Sequence, residues 1–186
     1  MRIIAGSAKG HTLKSPKGFD TRPTQDRIRE SIANVLTNYG FYGAAVLDLF
    51  SGTGAMALES LSRGAATAVC VDRATARVIA DNADHTKLRE KVEILPMSLS
   101  AVVPRLSGRR FDYIFADPPY RNGLLQPTVD AVVSSEWLTE SGICILERHE
   151  EETCVWPDDY EAFKSQRFGY TRIDYVRRRL FERGHE

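Results

Sequence analysis

The feature that most constrains this chain is a regular alternation between residues 45 and 147. Apolar, strand-like runs at 45–50, 68–72, 92–95, 111–116 and 142–147 are separated by helix-like runs at 55–62, 75–87, 98–106 and 125–134. Strands buried on both faces read as continuous apolar runs, and parallel neighbours need a crossover helix between them. The alternation therefore predicts an α/β fold built on a doubly wound, mostly parallel sheet. Two further strand-like runs, 164–168 and 170–181, flank Gly169 and predict an antiparallel C-terminal hairpin that finishes the sheet. Ahead of the alternation, 2–5 and 11–14 read as a short N-terminal β-hairpin turning at Gly6, Ser7 and Gly10. Pro16, Gly18 and Pro23 then mark a loop. From Thr24 the pattern is helical: Ile28, Ile32, Val35, Leu36 and Tyr39 share one face, and Gly40 can end the helix. With 186 residues and no repeat or linker, the chain fits one domain, with hairpin and loop over 1–23 and the α/β core over 24–186. The acidic stretch 147–152 reads as a solvated loop, and Trp137 and Trp156 as packing residues.

Composition removes several classes. No apolar run approaches a membrane span, and the first residues lack the apolar region of a signal peptide. The three cysteines, Cys70, Cys144 and Cys154, have no C-x-x-C spacing, which points to a reducing, cytoplasmic setting. None of the four histidines pairs with a cysteine at zinc-ligand spacing, so no metal is expected. The chain is formally neutral, but residues 1–30 and 162–186 each carry +4 and the middle carries −8. Two basic ends on one face would make a surface for phosphate.

The first informative motif is Asp48-Leu49-Phe50-Ser51-Gly52-Thr53-Gly54, where a buried strand enters a glycine turn and a helix follows. Gly52 permits the tight turn and Gly54 a close approach of backbone to ligand. With Ala57 the run also fits a dinucleotide fingerprint. Asp48 separates the two readings. An anion there repels a pyrophosphate and attracts a cation, and S-adenosylmethionine carries a sulfonium and an ammonium. Asp72 ends the next strand, 20 residues after Gly52, where a carboxylate can accept from ribose hydroxyls and can also cap the following helix.

The second motif is Asp117-Pro118-Pro119-Tyr120, delivered by the apolar run 111–116. An exocyclic amine on a base is a poor nucleophile because its lone pair is delocalised into the ring. The Asp117 carboxylate can accept one N–H and localise that pair, and the Pro118 carbonyl can accept the other. Consecutive prolines fix φ and hold these acceptors stiffly. Tyr120 offers a face for the base to stack on. A base in a duplex must be flipped out to reach this loop. The chemistry is methyl transfer by in-line displacement, in which positioning supplies most of the catalysis.

The Asp-Pro-Pro-Tyr loop after the fourth strand resembles amino-directed methyltransferases of the class I, Rossmann-like type. The run Thr21-Arg22-Pro23-Thr24-Gln25-Asp26-Arg27-Ile28-Arg29-Glu30 resembles the T-R-P-T-x-D-R-x-R-E signature of the bacterial RsmD family. Residues 2–6, 48–54, 57–64 and 117–125 are similar to that family too, so the resemblance spans nearly the whole chain. It implies transfer of a methyl group from S-adenosylmethionine to guanine N2 in 16S (small-subunit) ribosomal RNA, within a small subunit or assembly intermediate. It implies cofactor contacts from Asp48, Phe50, Gly52, Thr53, Gly54 and Asp72, catalytic roles for Asp117, Pro118, Pro119 and Tyr120, and RNA-phosphate contacts, or bracing of the cofactor loop, from Arg22, Arg27 and Arg29. One position departs from the family. Where an Asn or Asp followed by a small residue usually meets the adenine, this chain has Met97-Ser98, which leaves Ser98 for that contact. The alternatives are adenine-N6 methylation of DNA or RNA, which the same loop would serve, and a nicotinamide-dependent oxidoreductase, against which Asp48 argues.

Overall fold

A computed structural model describes residues 1–16 and 23–179, with the side chains of 23–25 outside that description. Arg22, Gly18 and the end of the expected last strand lie outside the described residues. Helix α1 (Pro23–Thr37) opens on a proline, which suits a first helical position because the missing N–H has no partner there. It buries Ile28, Ile32, Ala33 and Leu36, and the chain turns away at Gly40, whose φ is +83°. The alternation follows as β1 (Ala45–Leu49), α2 (Ala55–Ser62), β2 (Thr67–Val71), α3 (Ala76–His85), β3 (Val92–Leu95), α4 (Leu99–Arg105), β4 (Phe111–Ala116), α5 (Leu125–Ser134) and β5 (Leu138–His149). Strands β6 (Tyr160–Phe168) and β7 (Thr171–Arg178) form the closing hairpin.

All seven strands make one sheet in the order β3-β2-β1-β4-β5-β7-β6. The pairings from β3 across to β5 are parallel, and β7 pairs antiparallel with both β5 and β6. The expected architecture, parallel with an antiparallel end, is therefore present. The crossovers diverge between β1 and β4, the switch point at which open α/β sheets bind ligands beyond their strand ends.

Register sorts the side chains between two cores. Val46, Cys70, Tyr113, Phe115, Ile143, Ile145, Ile173 and Tyr175 pack with α1, α2, α3 and the N-terminal segment. Leu47, Leu49, Val69, Val71, Ile114, Ala116, Cys144, Leu146 and Val176 pack with α4 and α5. Full burial of each such aliphatic side chain stabilises by roughly 1.5–3 kcal/mol. Trp137 is fully buried and Trp156 lies against the second core, both as packing residues.

Three local expectations need correction. The N-terminal hairpin is present but short, one antiparallel bridge, Arg2 with Thr12, flanked by Ile3 N–H donating to the His11 carbonyl and Leu13 N–H to the Met1 carbonyl. Four further donors go to α2 instead: Ile4 and Ala5 N–H donate to Glu59, Ser7 N–H to the Ser62 carbonyl and Ala8 N–H to Ser62 Oγ. Strand β5 runs from Leu138 to His149, so the start of the stretch 147–152 is strand, and Glu147–Glu150 are half-buried. Strand β6 begins at Tyr160, ahead of the strand-like run read from the sequence, because an edge strand paired on one side alternates exposed and buried positions.

Candidate active site

Strand parity gathers the acids. Asp48 is in register with Cys70 on one side and Phe115 on the other, and Phe115 is in register with Ile145. Two residues beyond these partners lie Asp72, Asp117 and Glu147. Side chains two apart on a strand share a face, so all four carboxylates project from one face at the carboxyl ends of adjacent strands. They line a cavity of about 470 Å³, with Phe50, Gly52, Thr53 and Thr75 on one wall and Ile28, Arg29 and Ile32 of α1 on another.

The turn after β1 is held in an unusual conformation. Phe50, Gly52 and Gly54 all have positive φ, +61°, +56° and +75°. At a non-glycine residue such as Phe50 this conformation costs about 1–3 kcal/mol, and such strain concentrates at functional sites. A Cβ on Gly52 would meet nothing within 4 Å, so open space faces the turn. Asp72 braces it: Oδ2 accepts from Gly52 N–H at 3.0 Å, and Oδ1 accepts from Ala74 and Thr75 N–H ahead of α3. Asp48 accepts from Ala57 N–H at 3.2 Å, and its carbonyl takes the Ser51 hydroxyl. The fully buried Asn82 donates to the Thr53 and Lys14 carbonyls and accepts Lys14 N–H, which ties the turn to the N-terminal segment. Sequence reading missed Asn82, since a lone asparagine on a helix carries no periodic signal.

The catalytic loop leaves β4 beside β5. Asp117 opens to the cavity, Pro118 is buried behind it and Pro119 points outward. The Tyr120 hydroxyl donates to Glu147 Oε1 at 2.6 Å and lies 3.0 Å from Thr171 Oγ1. Around this tyrosine the His149 ring stacks on Tyr170 at 5.5 Å, and Tyr120 meets both edge-on. Glu147 was expected in a solvated loop; its place beside Asp117 follows only once β5 and β4 are paired.

Crowding like charges in an enclosed space shifts their protonation. Burial, and then Asp72, push Asp48 up to about 7, against the Ala57 N–H bond, which lowers it. Asp117 is raised well above the carboxylate range by enclosure, then by Glu147 and Asp48. Its side chain is itself exposed and lines the cavity. Burial raises Glu147 too, with the Tyr120 hydroxyl bond opposing. A positively charged ligand would relieve all three.

The remaining expected residues divide. Arg29 is 4% exposed and turned inward, donating to the Arg2 carbonyl at 2.6 Å and to Asp26 at 3.2 Å. It walls the cavity instead of presenting an outer face, while Arg27 is exposed. Ser98 caps α4, its hydroxyl accepting from Ala101 N–H, and Met97 packs against the second core.

This sheet order, with an acid-lined cavity at its switch point and an Asp-Pro-Pro-Tyr loop on its rim, defines a class I, Rossmann-like methyltransferase. Residues 1–177 match the family described as Conserved hypothetical protein 95, and the chain belongs to this family, the RsmD methyltransferases. A Bacillus subtilis (strain 168) relative, YlbH, provisionally named an rRNA methyltransferase, is 32% identical over 96% of this chain and 100% of its own. Ribosomal RNA small subunit methyltransferase D of Escherichia coli (strain K12) is 33% identical over 81% of this chain and 76% of its own. The solved Escherichia coli structure of yhhF, provisionally named a methyltransferase, superposes with a TM-score of 0.84 at 30% identity, covering 96% of this chain and 97% of that one.

Proposed function

We propose that this protein methylates the exocyclic N2 of a guanine in 16S ribosomal RNA, acting in the cytoplasm as one domain on a small subunit or assembly intermediate. S-adenosylmethionine is the cofactor. The observation that carries the reading is the convergence of Asp48, Asp72, Asp117 and Glu147 on one cavity, an environment hostile to pyrophosphate and favourable to a cation. The cavity's volume falls in the usual range for ligand sites, roughly 300–1,000 Å³.

Asp48 faces the positive charge, the Gly52–Gly54 turn lets backbone approach the ligand, and Asp72, bracing the turn through three N–H bonds, keeps a position on Oδ2 for a ribose hydroxyl. When bound, S-adenosylmethionine would supply an electrophilic methyl carbon on a sulfonium, with the neutral thioether as the leaving group. Asp117 accepts one N–H of the amine and then its proton, and the Pro118 carbonyl accepts the other N–H. Proline stiffness at 118–119 holds these acceptors in place. Tyr120, fixed through Glu147 and Thr171, stands beside the base. Arg27 and Arg22 serve RNA phosphate. Arg29 supports the cavity from inside.

The test is labelled methyl transfer to small subunits and to extracted rRNA, followed by nucleoside mass spectrometry. N2-methylguanosine is the expected product, and N6-methyladenosine would establish the rival. Asp117→Ala should lower turnover by about 100-fold or more while the protein stays folded. Wild-type turnover in that variant would overturn the mechanism.

A further inference from the structure

The methyl-transfer chemistry needs one acceptor for the amine, yet a second carboxylate faces the same space. Ala116 and Leu146 are the last register partners of the parallel β4–β5 pair, and Asp117 and Glu147 are the next residues on each strand. Neighbouring strands lie about 4.8 Å apart, so the two carboxyl groups can flank one base edge. Both line the cavity. Glu147 is not free to turn away, because its Oε1 holds the Tyr120 hydroxyl at 2.6 Å and that hydroxyl also meets Thr171. Among the described residues its other oxygen has no hydrogen-bond donor, which leaves it for a ligand.

The Watson–Crick edges of the two candidate bases differ in what they offer such a pair. Guanine presents two adjacent donors, the N2 amine and N1–H. Adenine presents one donor, its N6 amine, beside the N1 lone pair. Two acceptors side by side match the first edge and repel the second. We infer that Glu147 is the specificity residue of this site, accepting guanine N1–H while Asp117 accepts the amine. This rests on the guanine-N2 reading above and deepens it. A positive charge bound in the cavity favours the ionised form of both carboxyl groups, the form in which both are acceptors.

The probe is small-subunit rRNA carrying 2-aminopurine in place of the mapped target guanine. That base keeps the 2-amino group and replaces N1–H with a lone pair. Wild-type kcat/KM should fall by at least about 100-fold on 2-aminopurine, because a site built to accept a donor is left facing a lone pair. Glu147→Gln can keep the bond from Tyr120 through its amide oxygen and turn an N–H toward the base. In that variant, methylation of guanine should fall while the preference for guanine over 2-aminopurine narrows to within about fivefold. Equal methylation of guanine and 2-aminopurine by the wild type would overturn the inference, leaving Glu147 a brace for Tyr120 and guanine-N2 methylation intact. A methylated adenine as the natural product would instead sink the guanine reading itself. The wild-type comparison needs no variant to fold.

Discussion

Asp48→Asn should change how many protons leave the protein when S-adenosylmethionine binds. Asp48 is 4% exposed, and burial with Asp72 nearby pushes its carboxyl up to about 7. At pH 6 the empty site therefore holds this group about nine-tenths protonated. A cationic ligand prefers the carboxylate, so binding expels the proton and affinity rises with pH. With the pKa raised in the empty state, the gain is complete only above it. For Asp48 alone, affinity should be about tenfold below its plateau at pH 6 and about twofold below at pH 7, since one pH unit is worth about 1.36 kcal/mol. Asp117 and Glu147 are raised in the same direction and add to the wild-type slope. Asparagine keeps the acceptor for Ala57 N–H and removes the titration. Calorimetric titrations at pH 6 and 8, in buffers of different ionisation enthalpy, count the protons. The wild type should release close to one more proton than Asp48→Asn at pH 6, with the difference gone at pH 8. Equal proton counts at pH 6, or affinity that falls as pH rises, would refute the assignment of Asp48 to the cation.

Further outcomes follow from the packing. Gly6→Ala would set a Cβ 1.8 Å from the Ser62 carbonyl oxygen at a φ of +85°, so the N-terminal segment must move off α2. A cost of about 2–4 kcal/mol should lower the Tm by roughly 5–15 °C in a thermal melt, and an unchanged Tm would contradict the docking. Glu59→Ala removes a carboxylate that is 1% exposed and holds Arg63, Ile4 N–H and Ala5 N–H. Urea unfolding should show a loss of about 3–5 kcal/mol, and less than about 1 kcal/mol would make the cluster unimportant. Binding to small-subunit rRNA should weaken at least tenfold, roughly, between 50 and 200 mM salt if the basic ends meet phosphate. Salt-independent affinity would remove them from the interface.

Strand and helix order was legible because fully buried parallel strands write themselves as uninterrupted apolar runs, and Asp48, Asp72 and Asp117 stand at the ends of those runs. Glu147 also ends such a run, but the charged residues after it made the segment look solvated. Its role depends on β5 pairing with β4, a contact across 30 residues that no local pattern records. The weak point at the N-terminus has a similar cause. The glycines at 6 and 10 do turn the chain, and Ile3 and Leu13 N–H bond across the hairpin, but the donors of Ile4, Ala5 and Ala8 found Glu59 and Ser62, more than 50 residues away. The family signature leaves Arg29 either an RNA contact or a brace for the cofactor loop. Its inward orientation is set by the Arg2 carbonyl, which sequence spacing cannot supply. Ser98 stands at the start of a helix-like run, and its hydroxyl serves there as the cap of α4.

The docking of residues 1–14 makes the cavity's completion a late event. Met1 is part of its wall, the Arg2 carbonyl steadies Arg29, and Lys14 is tied to Asn82 under the glycine turn. These residues must thus wait for α2 and α3 before they have partners, and contacts of such long sequence separation form slowly. A bound ligand would hold the closed arrangement by mass action and shield these residues from a protease. Cleavage near the N-terminus, timed with and without S-adenosylmethionine, would then report whether the enzyme has finished assembling its own binding site.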